Sequence, residues 1–303
     1  MFERFEAIAN APMREYTTLK LGGPADWLVT PKSTRELVQI LGEARENGLP
    51  VTVIGHGSNL LVLDGGIRGV VIRMARGMKD CFVKGNLLVA DAGTMLGAAA
   101  SAAADAGLTG LEFASGIPGT VGGGVIMNAG AYGGEMSRVV QEVCLIQRDG
   151  TFRTLGKEEL DFGYRHSALQ ATDDIVCQVT MRLENGDPDS IRERMSELNR
   201  QRAEKQPLDV PSAGSTFKRP EGAFAAALID QCGLKGYTVG GAKVSTKHAG
   251  FLINIGESAR DYLELIRTVQ RIVEDRTGIR LETEVRIIGE DREPDSGEKG
   301  LNA

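Results

Sequence analysis

Phe113-Ala-Ser-Gly-Ile-Pro-Gly-Thr-Val-Gly-Gly-Gly-Val-Ile-Met-Asn-Ala-Gly-Ala-Tyr-Gly-Gly134 is the most informative stretch of the chain. Eight of its 22 residues are glycine, yet Ile117, Val121, Val125, Ile126 and Met127 are interleaved with them. A flexible linker carries Ser, Glu or Lys in place of such aliphatics. Glycine lets a backbone take positive φ and approach a ligand closely. The stretch therefore reads as an ordered, half-apolar loop held tight against something bulky, with a ligand-free glycine turn as the competing reading. A second loop, Ile54-Gly-His-Gly-Ser-Asn59, follows directly on the apolar run Val51–Ile54. N–H groups in such a turn form an anion-binding concavity, to which Ser58 and Asn59 add side-chain donors. It is not a Walker loop, because no Lys-Ser/Thr pair follows, and it lacks the third glycine of a Rossmann fingerprint.

Outward from these loops, helix and strand signals alternate. Ser33-Thr-Arg-Glu36 reads as a capping box, followed by Leu37, Ile40, Leu41 and Ala44 on one helical face and Gly48 as a stop. Strands are expected over 51–54, 60–63, 70–73 and 86–92, and Thr94 is expected to cap an alanine-rich helix ending near Gly107. Further on, 139–148 and 152–155 flank Asp149-Gly150, a strong hairpin signal, and 175–183 alternates as a strand. Residues 188–205 form an amphipathic helix with Ile191, Met195 and Leu198 inward, and Pro207 and Pro211 beyond it mark a connector. Then come a helix over 223–232, a strand over 251–255, a helix over 259–277 capped by Ser258 and ended by Gly278, and a strand over 281–288. The polar stretch 290–303 is expected to be disordered. The class is α+β.

The net charge of -6 leaves no excess of positive charge to meet nucleic acid. No apolar run approaches the roughly 18 residues that span a bilayer, and the segment MFERFEAIANAP is not a signal peptide. Four dispersed cysteines (Cys81, Cys144, Cys177, Cys232) without metal-ligand spacing fit a reduced, cytoplasmic protein. Nothing in the sequence demands more than a monomer.

The two loops together resemble the FAD-binding domain of the vanillyl-alcohol-oxidase superfamily. A closer similarity is to the UDP-N-acetylenolpyruvoylglucosamine reductase (MurB) family. It is carried by Leu19-Lys-Leu-Gly-Gly-Pro-Ala25, Gly57-Ser-Asn-Leu-Leu-Val62, Ser115-Gly-Ile-Pro-Gly-Thr-Val-Gly-Gly123 and Asn128-Ala-Gly-Ala-Tyr132. It continues in Gly163-Tyr-Arg-His-Ser167, Gly214-Ser-Thr-Phe217, Val244-Ser-Thr-Lys-His-Ala249 and Glu284-Val-Arg-Ile-Ile-Gly289.

The resemblance implies two α+β FAD-binding subdomains, 1–75 and 76–205, and an α+β substrate-binding domain, 206–289. It implies non-covalent FAD, NADPH as reductant, and a UDP-sugar whose enolpyruvyl ether is reduced to a lactyl ether. FAD-binding residues carried over are Gly55, His56, Gly57, Ser58, Asn59, Leu60, Ser115, Gly116, Pro118, Gly119, Thr120, Gly122 and Gly123. Arg165 matches the residue that grips the substrate carboxylate, Ser215 the proton donor, and Glu284 the acidic active-site residue, with Glu282 a rival on the same strand face. Arg219, Lys243 and His248 are expected at the substrate, and no metal is expected. Some members bear an inserted tyrosine loop after the arginine motif; only 18 residues separate Arg165 from Glu184, so this chain is of the short type. An FAD-linked oxidase of the same fold, acting on an alcohol or sugar, is the alternative.

Overall fold

The computed structural model describes residues 1–291. The chain divides into two compact units: Met1–Ala9, Trp27–Ser58 and Gly69–Leu208 form the first, and Asn10–Asp26, Asn59–Arg68 and the residues from Asp209 onward form the second. Each unit has its own core.

In the first unit, the strand Val51–Ile54 and the later part of Ile67–Arg73 are parallel, with Val51 opposite Val70 and Ile54 opposite Arg73. Helix α1 (Thr34–Glu46) buries Leu37, Ile40, Leu41 and Ala44, the stripe expected from its spacing. Ser33 Oγ accepts the Glu36 N–H at 3.2 Å, but the Glu36 carboxylate takes the Lys32 N–H in place of closing a reciprocal box. A five-stranded antiparallel sheet follows, built from Phe152–Gly156, Val140–Ile146, Ile175–Arg182, Leu87–Asp91 and Cys81–Lys84, in that order. The expected hairpin is present, with Ile146 opposite Phe152 and Gly150 at φ 90°. Helix α2 (Leu96–Asp105) starts later than expected, because Thr94 Oγ1 donates to Asp80 O and caps nothing. Short helix α3 (Val121–Ile126) and long helix α4 (Pro188–Lys205) complete the unit. One continuous core, from Phe2 through Leu183, runs through both stretches expected as FAD-binding subdomains.

In the second unit, a four-stranded antiparallel sheet takes the order Ser212–Ser215, Phe251–Asn254, Ala242–Val244, Thr238–Val239. Helices α5 (Ala225–Gln231) and α6 (Ala259–Thr277) belong to the same core, in which Tyr262, Ile266 and Val269 are fully buried. The start of α6 is held by Ser258 Oγ, which accepts the Asp261 N–H, and by the Asp64 carboxylate, which accepts the N–H groups of Ala259 (2.9 Å) and Arg260 (3.1 Å). Gly278, at φ 73°, ends it. Segment Leu60–Val62 belongs to this unit because it pairs in parallel with Arg286–Ile288.

The last strand is shorter than the expected 281–288. Lys218 N–H donates to Glu282 O and Glu284 N–H to Thr216 O, so residues 282–284 follow the segment after Ser215 before the chain joins Leu60–Val62. Glu290, expected to open a disordered tail, accepts the Gly65 N–H at 2.8 Å and donates its own N–H to Gly66 O at 2.9 Å. The remainder of that expectation, 292–303, lies outside the described residues.

Candidate functional site

In the first unit the two glycine loops come together. A Cβ placed on Gly55 would lie 2.5 Å from Thr120 Oγ1, and one on Gly119 would lie 3.8 Å from Ser58 Oγ. Gly57 is buried and left-handed, at φ 72°. Among the described residues, the backbone N–H groups of Gly57, Ser58, Gly116 and Gly119 meet no protein acceptor. Buried donors are almost always paired, so a cradle of N–H groups around a buried one fits the phosphate-bearing part of a dinucleotide such as FAD. Thr120 Oγ1 accepts the Gly123 N–H and caps α3, while the Gly122 N–H goes to Ala92 O at 2.9 Å. Gly122 and Gly123 thus supply close packing and a cap and not open donors; a Cβ on Gly122 would lie 2.8 Å from that of Ala92. Ser115 Oγ donates to Glu112 O, Pro118 is exposed, and His56 is half-buried.

Arg165, in the same unit, sits in a tight turn in which Gly163 and His166 exchange N–H···O bonds of 3.1 and 3.2 Å. Its φ of 54° is left-handed. Two side chains fix that turn: Asn128 Nδ2 donates to Gly163 O and Gln170 Nε2 to Arg165 O, both at 2.9 Å. The guanidinium lies 5.3 Å from the Tyr164 ring centroid and donates to Gly130 O at 3.3 Å. A planar cation so held can grip a carboxylate bidentately.

In the second unit, Ser215 ends a strand whose register passes from Ser212 opposite Ile253 to Ser215 opposite Phe251. Ala213 and Gly214 therefore oppose Leu252 alone, a bulge that Gly214 permits at φ 77°. Its neighbour Thr216 is fully buried, with Oγ1 accepting the Leu252 N–H, and Tyr262 Oη donates to Leu252 O at 3.0 Å. Burial pushes the Tyr262 phenol well up, so it stays a neutral donor. The half-buried Ser215 Oγ makes no hydrogen bond among the described residues, and so keeps its proton available.

Glu284 is brought beside this strand: its N–H donates to Thr216 O at 2.8 Å, and its carbonyl accepts from Asn59 Nδ2 at 3.1 Å. Its rival Glu282 is exposed and ion-paired with Lys218 at 3.4 Å. Asn59 O also accepts the Arg286 N–H, so Asn59 and Leu60 hold the Glu284 segment in place.

The expected substrate residues lie on three separate segments of the second unit. Arg219 is exposed, over the Phe224 ring; Lys243 lies mid-strand opposite Ile253; His248 is half-buried against Phe251. Burial pulls the His248 imidazole below its usual value, and its Nδ1 accepts the Gly250 N–H, which fixes a neutral ring. Two groups that the sequence reading passed over also belong to the first unit. Arg202 and Gln206, at the end of α4, each carry a buried side-chain atom without a hydrogen-bond partner. Their signal was there: Arg202 continues the inward stripe of Ile191, Met195 and Leu198. Among the described residues no His/Cys/Asp/Glu group could hold a metal, and no helix is long and apolar enough to cross a membrane.

A family model described as "FAD binding domain" matches residues 25–156, and one described as "UDP-N-acetylenolpyruvoylglucosamine reductase, C-terminal domain" matches residues 206–288. The chain is 51% identical to the UDP-N-acetylenolpyruvoylglucosamine reductase of Pediococcus pentosaceus, over 96% of this chain and 97% of that one. It is 52% identical to that of Lactiplantibacillus plantarum, over 96% of each. Among solved structures, the reductase of Thermus caldophilus superposes with a TM-score of 0.79 at 40% identity, covering 93% of this chain and 97% of that one.

Proposed function

Because the chain belongs to the UDP-N-acetylenolpyruvoylglucosamine reductase family, FAD-dependent oxidoreductases of peptidoglycan synthesis, we propose that it reduces UDP-N-acetyl-3-O-(1-carboxyvinyl)-glucosamine to UDP-N-acetylmuramate at the expense of NADPH. The observation that carries the cofactor part is the buried Gly57 N–H, set in a glycine cradle with no protein acceptor. FAD, when bound, supplies the hydride that adds to the enolpyruvyl methylene carbon. The chain's own residues must polarise the substrate, deliver a proton to the adjacent carbon and hold both ends still. In this reading residues 1–75 and 76–205 hold FAD without a covalent bond, and 206–289 hold the UDP-sugar through Arg219, Lys243 and His248.

Arg165 grips the substrate carboxylate and draws charge onto it as hydride adds. Its left-handed backbone, fixed by Asn128 and Gln170, supports a role that depends on aim. Ser215 gives its proton to the carbon next to the one that takes hydride. A serine hydroxyl is a weak acid, so it protonates only a very basic carbon, and its unengaged Oγ supports that assignment. Glu284, held beside the Ser215 strand, acts on the same part of the substrate. A monomer in the cytoplasm completes the reading, which the four free thiols and the acidic chain support.

The test is an anaerobic absorbance trace of the purified protein. Flavin bands that bleach with NADPH and return when the enolpyruvyl UDP-sugar is added are expected. Flavin that stays reduced until oxygen enters would replace this reading with an oxidase.

A further inference from the structure

Helix α4 ends in a contradiction. Its exposed face carries ordinary surface ion pairs, Arg194 with Glu197 and Arg200 with Glu204. Arg202 differs: its Nε has no access to solvent and no hydrogen-bond partner, and among the described residues the guanidinium meets no carboxylate. Burial pulls the guanidinium below its usual value, and the titratable side chain beside it is not a carboxylate but the phenol of Tyr132. Arg202 as a whole is half-buried, and a cation partly withdrawn from water without a partner carries a desolvation cost. Four residues on, Gln206 Oε1 is likewise buried without a donor. The last turn of α4 thus presents an unmet donor and an unmet acceptor together.

The neighbourhood says what they wait for. A Cβ on Gly116 would lie 3.1 Å from Arg202 Cδ and 2.4 Å from Asn199 Oδ1, so only glycine lets the second loop lie this close to α4. Gly116 is one of the cradle residues whose N–H is open. A diphosphate would satisfy Arg202 and leave Gln206 Oε1 unmet. The imide edge of an isoalloxazine ring offers both complements side by side, carbonyl oxygens for the guanidinium and an N–H for the amide oxygen. Its N1–C2=O side also gains negative charge on reduction, which a guanidinium stabilises.

We propose, resting on the FAD reading above, that Arg202 and Gln206 bind the imide edge of the flavin ring and that Arg202 raises the flavin's reduction potential.

The full-length apo-protein, titrated with FAD and with riboflavin, tests this in the wild type, Arg202→Met, Arg202→Lys and Gln206→Leu. Arg202→Met should weaken both ligands alike, by tenfold or more, with Arg202→Lys recovering part of the loss and Gln206→Leu also weakening both. If Arg202 holds the reduced ring tenfold more tightly than the oxidised one, the potential of FAD-loaded Arg202→Met falls by about 30 mV. The apo form of Arg202→Met should melt no lower than wild-type apo-protein, since a half-buried cation with an unmet Nε is removed; a merely structural arginine would give the opposite. Unchanged affinity and potential would overturn the proposal. So would a loss confined to FAD with riboflavin unaffected, which would move Arg202 to the diphosphate. Wild-type protein that binds neither ligand would refute the FAD reading itself, a distinct result.

Discussion

Replacing Gly55 by alanine tests whether the two glycine loops are coupled through one side chain. The backbone of Gly55 is outside the left-handed region, so alanine is conformationally allowed there and only its methyl matters. That methyl would sit 2.5 Å from Thr120 Oγ1, well inside van der Waals contact, whereas the Thr120 carbons are 3.5 Å away and tolerable. Thr120 is buried and cannot swing into water. Moving its hydroxyl breaks the cap on α3 at the Gly123 N–H, a loss of about 0.5–2 kcal/mol. Residual crowding adds about 1–3 kcal/mol.

Gly55→Ala should therefore destabilise the first unit by about 1.5–5 kcal/mol and weaken FAD binding. In a Thr120→Ala background the offending oxygen is gone, and the same change should cost under about 1.5 kcal/mol. The coupling can be read in urea unfolding of apo-protein by the fluorescence of Trp27, the single tryptophan, which lies in this unit. A cycle whose two single effects simply add, within about 0.5 kcal/mol, would refute the contact and the loop coupling built on it.

Ser215→Ala should leave flavin reduction by NADPH nearly intact while lowering oxidation of the reduced flavin by the UDP-sugar about 10²–10⁴-fold; equal loss in both stopped-flow half-reactions would take the proton from another source. Asp64→Ala should cost about 1.5–3 kcal/mol, because two N–H groups at the start of α6 lose a charged acceptor. Asp64→Asn should recover about half of that, and a circular-dichroism melt unchanged in both variants would show the cap to be idle. For His248, the folded ring titrates below its unfolded value, so the unfolded chain takes up the proton first. Stability from this group is complete above about pH 6.5 and is lost as pH falls toward the folded value. Wild-type protein should thus lose more melting temperature between pH 7.5 and 5.5 than His248→Asn, and parallel losses would disprove the linkage.

What could be read from the sequence was what local chemistry dictates. The Asp149-Gly150 hairpin, the stripe of α1 and the span 259–277 of α6 all appear as expected, because turn, periodicity and cap agree there. The misses are tertiary. Thr94 looked like a cap but bonds to Asp80 O, and Asp64 caps a helix 195 residues further on. The final strand was read too long because residues 282–284 bond along the segment after Ser215 and not in a regular ladder. The same rule governs the site. The two glycine loops are legible because open backbone donors need glycine to expose them. Arg202 is not, because a charge on an amphipathic helix is assigned to the wet face unless its place on the apolar stripe is counted.

Strain marks where the first unit needs aim and not merely stability. Nine described non-glycine residues have positive φ, and three of them, Asn128, Tyr132 and Arg165, lie in two segments tied by the Asn128 Nδ2–Gly163 O bond. Asn128 tolerates this conformation through its short amide, but a tyrosine and an arginine do so at a cost of about 1–3 kcal/mol each. Glycine at 132 or 165 would relieve that cost and delete the side chain, so the strain is retained for what the side chains do. Gln170 and Asn128 together over-determine the turn that carries Arg165, and Ser167, itself fully buried, anchors the same segment through Ile126 O. A salt-bridge arginine on the surface needs no such frame. The proposed grip of Arg165 on a planar carboxylate by both nitrogens does, because a small rotation of the backbone would forfeit one of the two bonds.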